Sequence, residues 1–186
     1  MSSEPRPDPG RRAPQAASGG SARVAEAFAS AGIDPEVRRF DESTRTAADA
    51  AAALGVGQGQ IAKTLVFLAD GNPVVVVMGG ADRVDTEALG EVLDGATIGR
   101  ADADAVRSGT GFAIGGVSPA GLPAGLTVLV DRSLSAVGEI WAAAGTPASV
   151  FRTDYAGLLA ITGGREVSVA ATMSAGGASR VMGHRW

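Results

Sequence analysis

The chain contains no cysteine. Disulfides, thiolate nucleophiles and cysteine metal sites are therefore excluded, and the composition fits a reducing compartment. Histidine occurs once, as His184 among the last three residues. That placement argues against a His-based catalytic triad or a His-rich metal site, so neither a metal nor another cofactor is expected. No apolar run approaches the ~20 residues of a membrane span. The N-terminus also lacks the hydrophobic segment of a secretory signal. The expectation is a cytoplasmic protein with no membrane partner. Lysine is nearly missing as well. Lys63 stands alone against fifteen arginines.

What is present suits one packed domain with tails. The 186 residues are 45% hydrophobic and 19% charged, and ~100–200 residues make a domain. A net charge of −4 argues against electrostatic wrapping of duplex nucleic acid, hence against DNA. A pocket that takes one end of an RNA stays open.

Residues 1–20 are rich in Pro, Gly, Ser and Arg without an apolar period and read as a disordered tail. Residues 21–172 read as the domain, and 173–186, rich in Gly and Ser, as a flexible tail. Ser21 is the expected cap of a helix that Gly32 stops. "EVRRF" reads as a short strand. Thr46, with Asp49 three residues on, sets a capping box before an alanine-rich helix ended by Gly55. "QIAKTLVFLAD" and "PVVVVMG", joined by Asp70-Gly71, form a hairpin. Asp85, Asp102 and Thr153 are the expected caps of three more helices. Residues 109–123 are a long loop, and "LTVLVD", "EIWAAAG", "SVFR" and "REVSVA" are further strands. This irregular alternation predicts an α/β (α+β-like) single domain with a mixed sheet.

"GQGQIAKT", residues 57–64, differs by one letter from a nucleotide-binding phosphate loop, with Ala62 replacing the second glycine. That loop must follow a strand and open a helix. Here a helix precedes it and strand-forming residues follow. The glycines of "GVGQGQ" fail the dinucleotide fingerprint on context and spacing. Lys63 needs another explanation. Strand alternation puts Ile61, Lys63, Leu65 and Phe67 on one face, and Ala62, Thr64, Val66 and Leu68 on the other. Both faces are largely apolar, so the strand is central. A lysine there needs a partner or a cavity, unless it snorkels to water from the strand end.

The stretch from Thr46 to Val169 resembles the YbaK/prolyl-tRNA-synthetase-associated domain family. The resemblance runs through "TAADAAAALGVGQGQIAKTLVF", "GNPVVVVMGGADRVDTEALGEVL", "RADADAVRSGTGFAIGGVSP", "LTVLVDRSL", "WAAAGTPASVFRT" and "LLAITGG", in that order. It implies a strongly curved mixed sheet flanked by helices and a role in translation quality control. Its members hydrolyse the ester between a wrong amino acid and the 3′ end of a tRNA. The family lysine maps to Lys63, and its GxxxP loop to Gly115-Gly116-Val117-Ser118-Pro119. Several members carry a polar or basic residue shortly after that proline. This chain has Leu122 instead, which leaves the amino-acid specificity open.

The resemblance thus implies Lys63, Gly115 and Gly116 as catalytic. The glycines would let backbone N–H groups approach an oxyanion, Pro119 would stiffen the loop, and Lys63 would offset negative charge. Thr110, Phe112, Val117 and Ser118 are candidate lining residues, and for Phe112 ordinary loop packing is the competing explanation. Asp131 enters by the resemblance, against a strand-end turn role. Arg83 could meet a tRNA phosphate, against the ordinary fate of a solvated arginine. The implied partners are the acceptor end of a mischarged tRNA, of the Cys- or Ala-tRNA(Pro) type, and prolyl-tRNA synthetase. A non-catalytic tRNA- or synthetase-binding module of the same fold is the alternative.

Overall fold

The computed structural model describes residues 19–41, 44 and 46–171. The two tail readings fall outside these residues, except that Gly19 and Gly20 already belong to the first helix.

Among the described residues five helices and eight strands alternate. Helix α1 (Gly19–Ala31) leads to β1 (Val37–Arg39). Helix α2 (Ala47–Leu54) has the expected reciprocal cap: Thr46 accepts from the Asp49 amide, and Asp49 from the Thr46 amide. Gly55 ends it in the left-handed conformation, φ 70°, which glycine adopts without steric cost. A 3-10 turn (Gln58–Gln60) then opens β2 (Ile61–Ala69), and β3 (Asn72–Gly79) returns antiparallel to it.

The Asp85 side chain caps α3 (Thr86–Val92), which precedes the short β4 (Ile98–Arg100). Asp102 caps α4 (Ala103–Thr110). Strands β5 (Thr127–Asp131), β6 (Ile140–Ala143) and β7 (Ser149–Thr153) follow, then α5 (Tyr155–Thr162) and β8 (Arg165–Val167). Several details differ from the expectations: α4 runs to Thr110, into the expected 109–123 loop, and a 3-10 turn covers Arg132–Ala136. Helix α1 starts two residues before Ser21. Helix α5 is capped by Asp154, whose Oδ1 accepts from the Gly157 amide at 2.7 Å, while Thr153 ends β7. Strand β4 was not expected.

All eight strands form one open mixed sheet in the order β1-β7-β6-β2-β3-β5-β8, with β4 also on β2. The β2–β6, β3–β5 and β5–β8 pairs are parallel, and the others antiparallel. Helices cover both faces. On one face Ala62, Val75, Val77 and Val130 meet Val24 and Phe28 of α1, Val106 of α4 and Leu158 of α5. On the other, α2 packs Ala50 and Ala51 onto Ile61 and Trp141, and α3 packs Leu89 onto Val76 and Leu129. This accounts for the uninterrupted "VVVV" of β3. Val74–Val77 are at most 4% exposed because neither face meets water, and each such side chain contributes about 1.5–3 kcal/mol of burial.

Candidate active site

Lys63 lies near the start of β2, opposite Met78 of β3. Alternation sends it to the face of Ile61 and Phe67, between the clusters that α2 and α3 cover. The side chain is half-buried. Its Nζ donates to the Asp82 carbonyl and, at 3.5 Å, to the Gly80 carbonyl. Both acceptors belong to the turn that leaves β3. Burial pushes the lysine below its usual range; the Asp82 carboxylate opposes that shift and the Arg83 guanidinium adds to it.

The near-phosphate-loop segment has a structural use of its own. Gln60 Oε1 accepts from the Gly57 amide at 2.9 Å, and Gln60 Nε2 reaches the Glu139 carbonyl at 3.4 Å. Gln58 Nε2 donates to the Gly80 carbonyl at 3.0 Å. The two glutamines pin the 3-10 turn to its neighbours, and the chain continues as a strand. The helix N-terminus that would hold phosphates is not there.

The edge of β2 facing away from β3 carries two short ladders. Strand β6 pairs with Ile61 and Ala62, and β4 with Phe67–Ala69. Residues 63–66 between them have no strand on that edge. Thr64 lies in this gap, and its buried Oγ1 makes no hydrogen bond among the described residues. Strand alternation puts Thr64 on the face opposite Lys63, and no sequence motif gives it a role. Its position beside the only lysine was the available signal.

The glycine loop packs on the other face of the sheet from Lys63. Phe112, Val117 and Ala120 join the cluster that contains Ala62 and Val130, and Leu122 packs against it. Ser118 and Pro119 are buried too, whereas Ala113, Ile114 and Gly115 are exposed. Gly115 has φ 83°, a conformation that requires glycine. A Cβ on Gly116 would sit 3.2 Å from Thr146 Cα and Pro147 Cδ. The Gly116 amide donates to the Ala113 carbonyl at 3.1 Å, so it is already engaged. The amides of Gly115, Val117 and Ser118 have no acceptor among the described residues.

Of the remaining candidates, Arg83 acts on Lys63 through its charge, and none makes a hydrogen bond to it among the described residues. Thr110 is fully buried at the end of α4; its Oγ1 donates to the Val106 carbonyl at 2.7 Å and accepts from the Phe112 amide at 3.1 Å. Ser118 Oγ accepts from the Ala120 amide at 3.1 Å. Asp131, 1% exposed, accepts from the amides of Ser133, Val169 and Ala170. Arg83 is exposed, and its carbonyl accepts from the Ala171 amide at 2.7 Å. No hydrogen bond or ion pair joins Lys63 to the glycine loop among the described residues. A shallow cavity of about 320 Å³ lies at the β8 edge, lined by Val92, Arg132, Arg165, Glu166, Val167 and Ser168. It contains none of the candidate residues. Its arginines are engaged, Arg132 with Glu166 at 2.6 Å and Arg165 with the Val92 carbonyl at 2.8 Å.

Residues 41–161 match the model of the aminoacyl-tRNA editing domain, and the chain belongs to that family. It is similar to the proline–tRNA ligase of Geobacter sp. (strain M21), 41% identical over 86 residues, 46% of this chain and 15% of that protein. The corresponding ligase of Streptococcus sanguinis (strain SK36) is 34% identical over 90 residues, 48% of this chain and 15% of the ligase. The chain thus matches only a small part of these longer enzymes. Among solved structures, a protein described as a candidate trans-editing enzyme for prolyl-tRNA synthetase superposes with a TM-score of 0.78 at 35% identity. That match covers 84% of this chain and all of the other. Among the described residues, no helix is long and apolar enough to cross a membrane.

Proposed function

We propose that this editing domain is an aminoacyl-tRNA deacylase, acting in the cytoplasm on mischarged tRNA(Pro) carrying alanine or cysteine. The observation that carries the reading is Lys63. It is the chain's only lysine, half-buried on a central strand and held on two backbone carbonyls rather than by a carboxylate partner. An ammonium so placed keeps its charge available to a ligand. Beside it, residues 63–66 of β2 have no strand partner on the edge away from β3 among the described residues.

In the proposed reaction a water, or a nucleophile belonging to the substrate, attacks the ester carbonyl carbon. The carbonyl oxygen becomes an oxyanion, for which the amides of Gly115, Val117 and Ser118 are the available donors. The C–O bond to the terminal ribose breaks, and the proton released by the nucleophile ends on the ribose oxygen. Lys63 offsets negative charge, either on the oxyanion or on the terminal phosphate. An aminoacyl ester is already activated, so positioning and electrostatics suffice without a covalent enzyme intermediate. Thr110, Phe112 and Pro119 hold the loop in shape, and prolyl-tRNA synthetase is the proposed partner that supplies the tRNA.

Leu122 favours a second reading, a non-catalytic tRNA- or synthetase-binding module. It packs on the core where the resemblance leads one to expect a polar or basic residue. Incubating the purified protein with tRNA(Pro) misacylated with Ala, Cys, Ser or Thr separates the two. Ester loss with turnover supports the deacylase; binding without turnover supports the module.

A further inference from the structure

We propose that Gln58 is a positioning residue for Lys63, acting through the Gly80 carbonyl to which both side chains donate. Gly80 is enclosed at its amide and at its Cα. Its amide donates to the Ile61 carbonyl at 2.7 Å. A Cβ there would lie 2.7 Å from Ala47 Cβ and from the Gln58 carbonyl oxygen, and 3.1 Å from the Ile61 carbonyl oxygen. Helix α2, the 3-10 turn and the start of β2 thus enclose this glycine. Its carbonyl belongs to the following peptide, Gly80–Ala81, and is held by the two side-chain donors, Gln58 and Lys63.

A carbonyl oxygen has two lone pairs. Gln58 takes one at 3.0 Å, and Lys63 reaches the other only at 3.5 Å. Gln58 is itself held by the turn that Gln60 pins at Gly57 and Glu139. The ammonium is therefore anchored at Asp82 and loosely tethered at Gly80. That leaves donor capacity on Nζ for a ligand. Without the Gln58 amide, the Gly80 carbonyl becomes a stronger acceptor with room for a second donor. The ammonium then settles onto it, away from the ligand, and its charged form is favoured. The charged side chains acting on Lys63 are Asp82, which favours the ammonium, and Arg83, which opposes it. Neither is altered by a change at Gln58.

The catalytic consequence rests on the deacylase reading; the positioning does not. Because the chain has one lysine, selective ¹³C,¹⁵N-lysine labelling gives a single side-chain signal. Gln58 is exposed, so Gln58→Met and Gln58→Ala remove the donor without opening the core. The expected result is a shifted Lys63 Cε signal and a titration midpoint moved to higher pH in both variants. On misacylated tRNA(Pro), kcat should fall about tenfold, equivalent to about 1.4 kcal/mol, with KM little changed. A folded Gln58→Met protein whose Lys63 signal and midpoint match the wild type overturns the proposal, as does the same result in Gln58→Ala if the Met variant fails to fold. If the wild type hydrolyses no ester while the Lys63 signal still responds to Gln58, the deacylase reading fails and the positioning stands.

Discussion

Asp131 ties down the far end of the domain through Val169. Its Oδ2 accepts the Val169 amide at 2.7 Å and the Ala170 amide at 3.1 Å, while Oδ1 accepts the Ser133 amide at 2.8 Å. The carboxylate is 1% exposed and adds to the Val84–Ala170 bridge that holds the segment past β8. Asp131→Ala strands three amides and should cost about 3 kcal/mol or more. Asp131→Asn retains one acceptor oxygen and should cost less. Urea melts give the stabilities, and amide exchange at Val169 and Ala170 should accelerate in both. Deacylation per folded molecule should stay near wild type. An Asn variant of normal stability with no activity would assign Asp131 a direct role.

Lys63→Ala should lower deacylation at least about 100-fold, the order expected for removing one electrostatic contact to a developing charge. Lys63→Arg should also be impaired. The guanidinium is broader than the ammonium and cannot share the Asp82 and Gly80 carbonyls in the same way. Circular dichroism should show both variants folded. Full activity in the arginine variant would reduce the role of Lys63 to bare charge.

The lowered pKa of Lys63 has a signature in stability. Burial disfavours its ammonium in the folded state, so the unfolded chain binds more protons between the folded value and the ordinary lysine value near ~10.4. Across that window stability rises with pH, because the cost of the buried charge is relieved as the folded-state lysine deprotonates. Lys63→Met lacks this contribution. Melting temperatures of the two proteins, compared from neutral pH to about 10.4, should converge or cross in favour of the wild type. Tyr155, pushed above its usual range by burial and by its hydrogen bond to Glu166, acts in both proteins and cancels. Parallel curves would show that Lys63 titrates normally.

The two loop glycines should separate by mechanism. Gly115 faces open space at φ 83°, so Gly115→Ala meets backbone strain of about 1 kcal/mol and little collision. Gly116→Ala meets Thr146 and Pro147 at 3.2 Å and must displace the loop. Both should lose turnover. The Gly115 variant should melt a few degrees lower, at roughly 2–4 °C per kcal/mol for a domain of this size. Unimpaired turnover in both would remove the loop from the site.

A nucleoside triphosphate should be neither bound nor hydrolysed, since the segment ending at Lys63 enters a strand. Deacylation should survive a chelator, as no cluster of three or more His, Cys, Asp or Glu occurs among the described residues. ATP turnover lost in Lys63→Ala, or activity lost with the chelator, would overturn the proposed chemistry.

Local structure was readable where one residue type has one use. The Thr46–Asp49 box and the Asp85 and Asp102 caps announce helices α2, α3 and α4, and Asp70-Gly71 announces the hairpin. Strand β4 escaped because three residues, Ile98-Gly99-Arg100, show no alternation; it exists through pairing with Phe67–Ala69. The Thr153/Asp154 ambiguity arose because either side chain can cap, and the end of β7 decides. The lysine strand was legible as central and apolar on both faces. The acceptors of Lys63 were not, because backbone carbonyls seventeen and nineteen residues away carry no residue-type signal. The placement of Lys63 and the glycine loop on opposite faces follows from the strand order, which local pattern does not encode.

That strand order also governs when the site can come apart. Strand β2 is laddered to β3 along one edge and to both β6 and β4 along the other, so the Lys63 backbone cannot be released by fraying at either margin of the sheet. The marginal strands β1 and β8, three residues each and paired on one edge only among the described residues, can open alone at small free energy. Exchange of β2 and β3 amides should therefore track complete unfolding, and that of β1 and β8 partial openings. The ammonium would keep its place while the rim of the domain breathes.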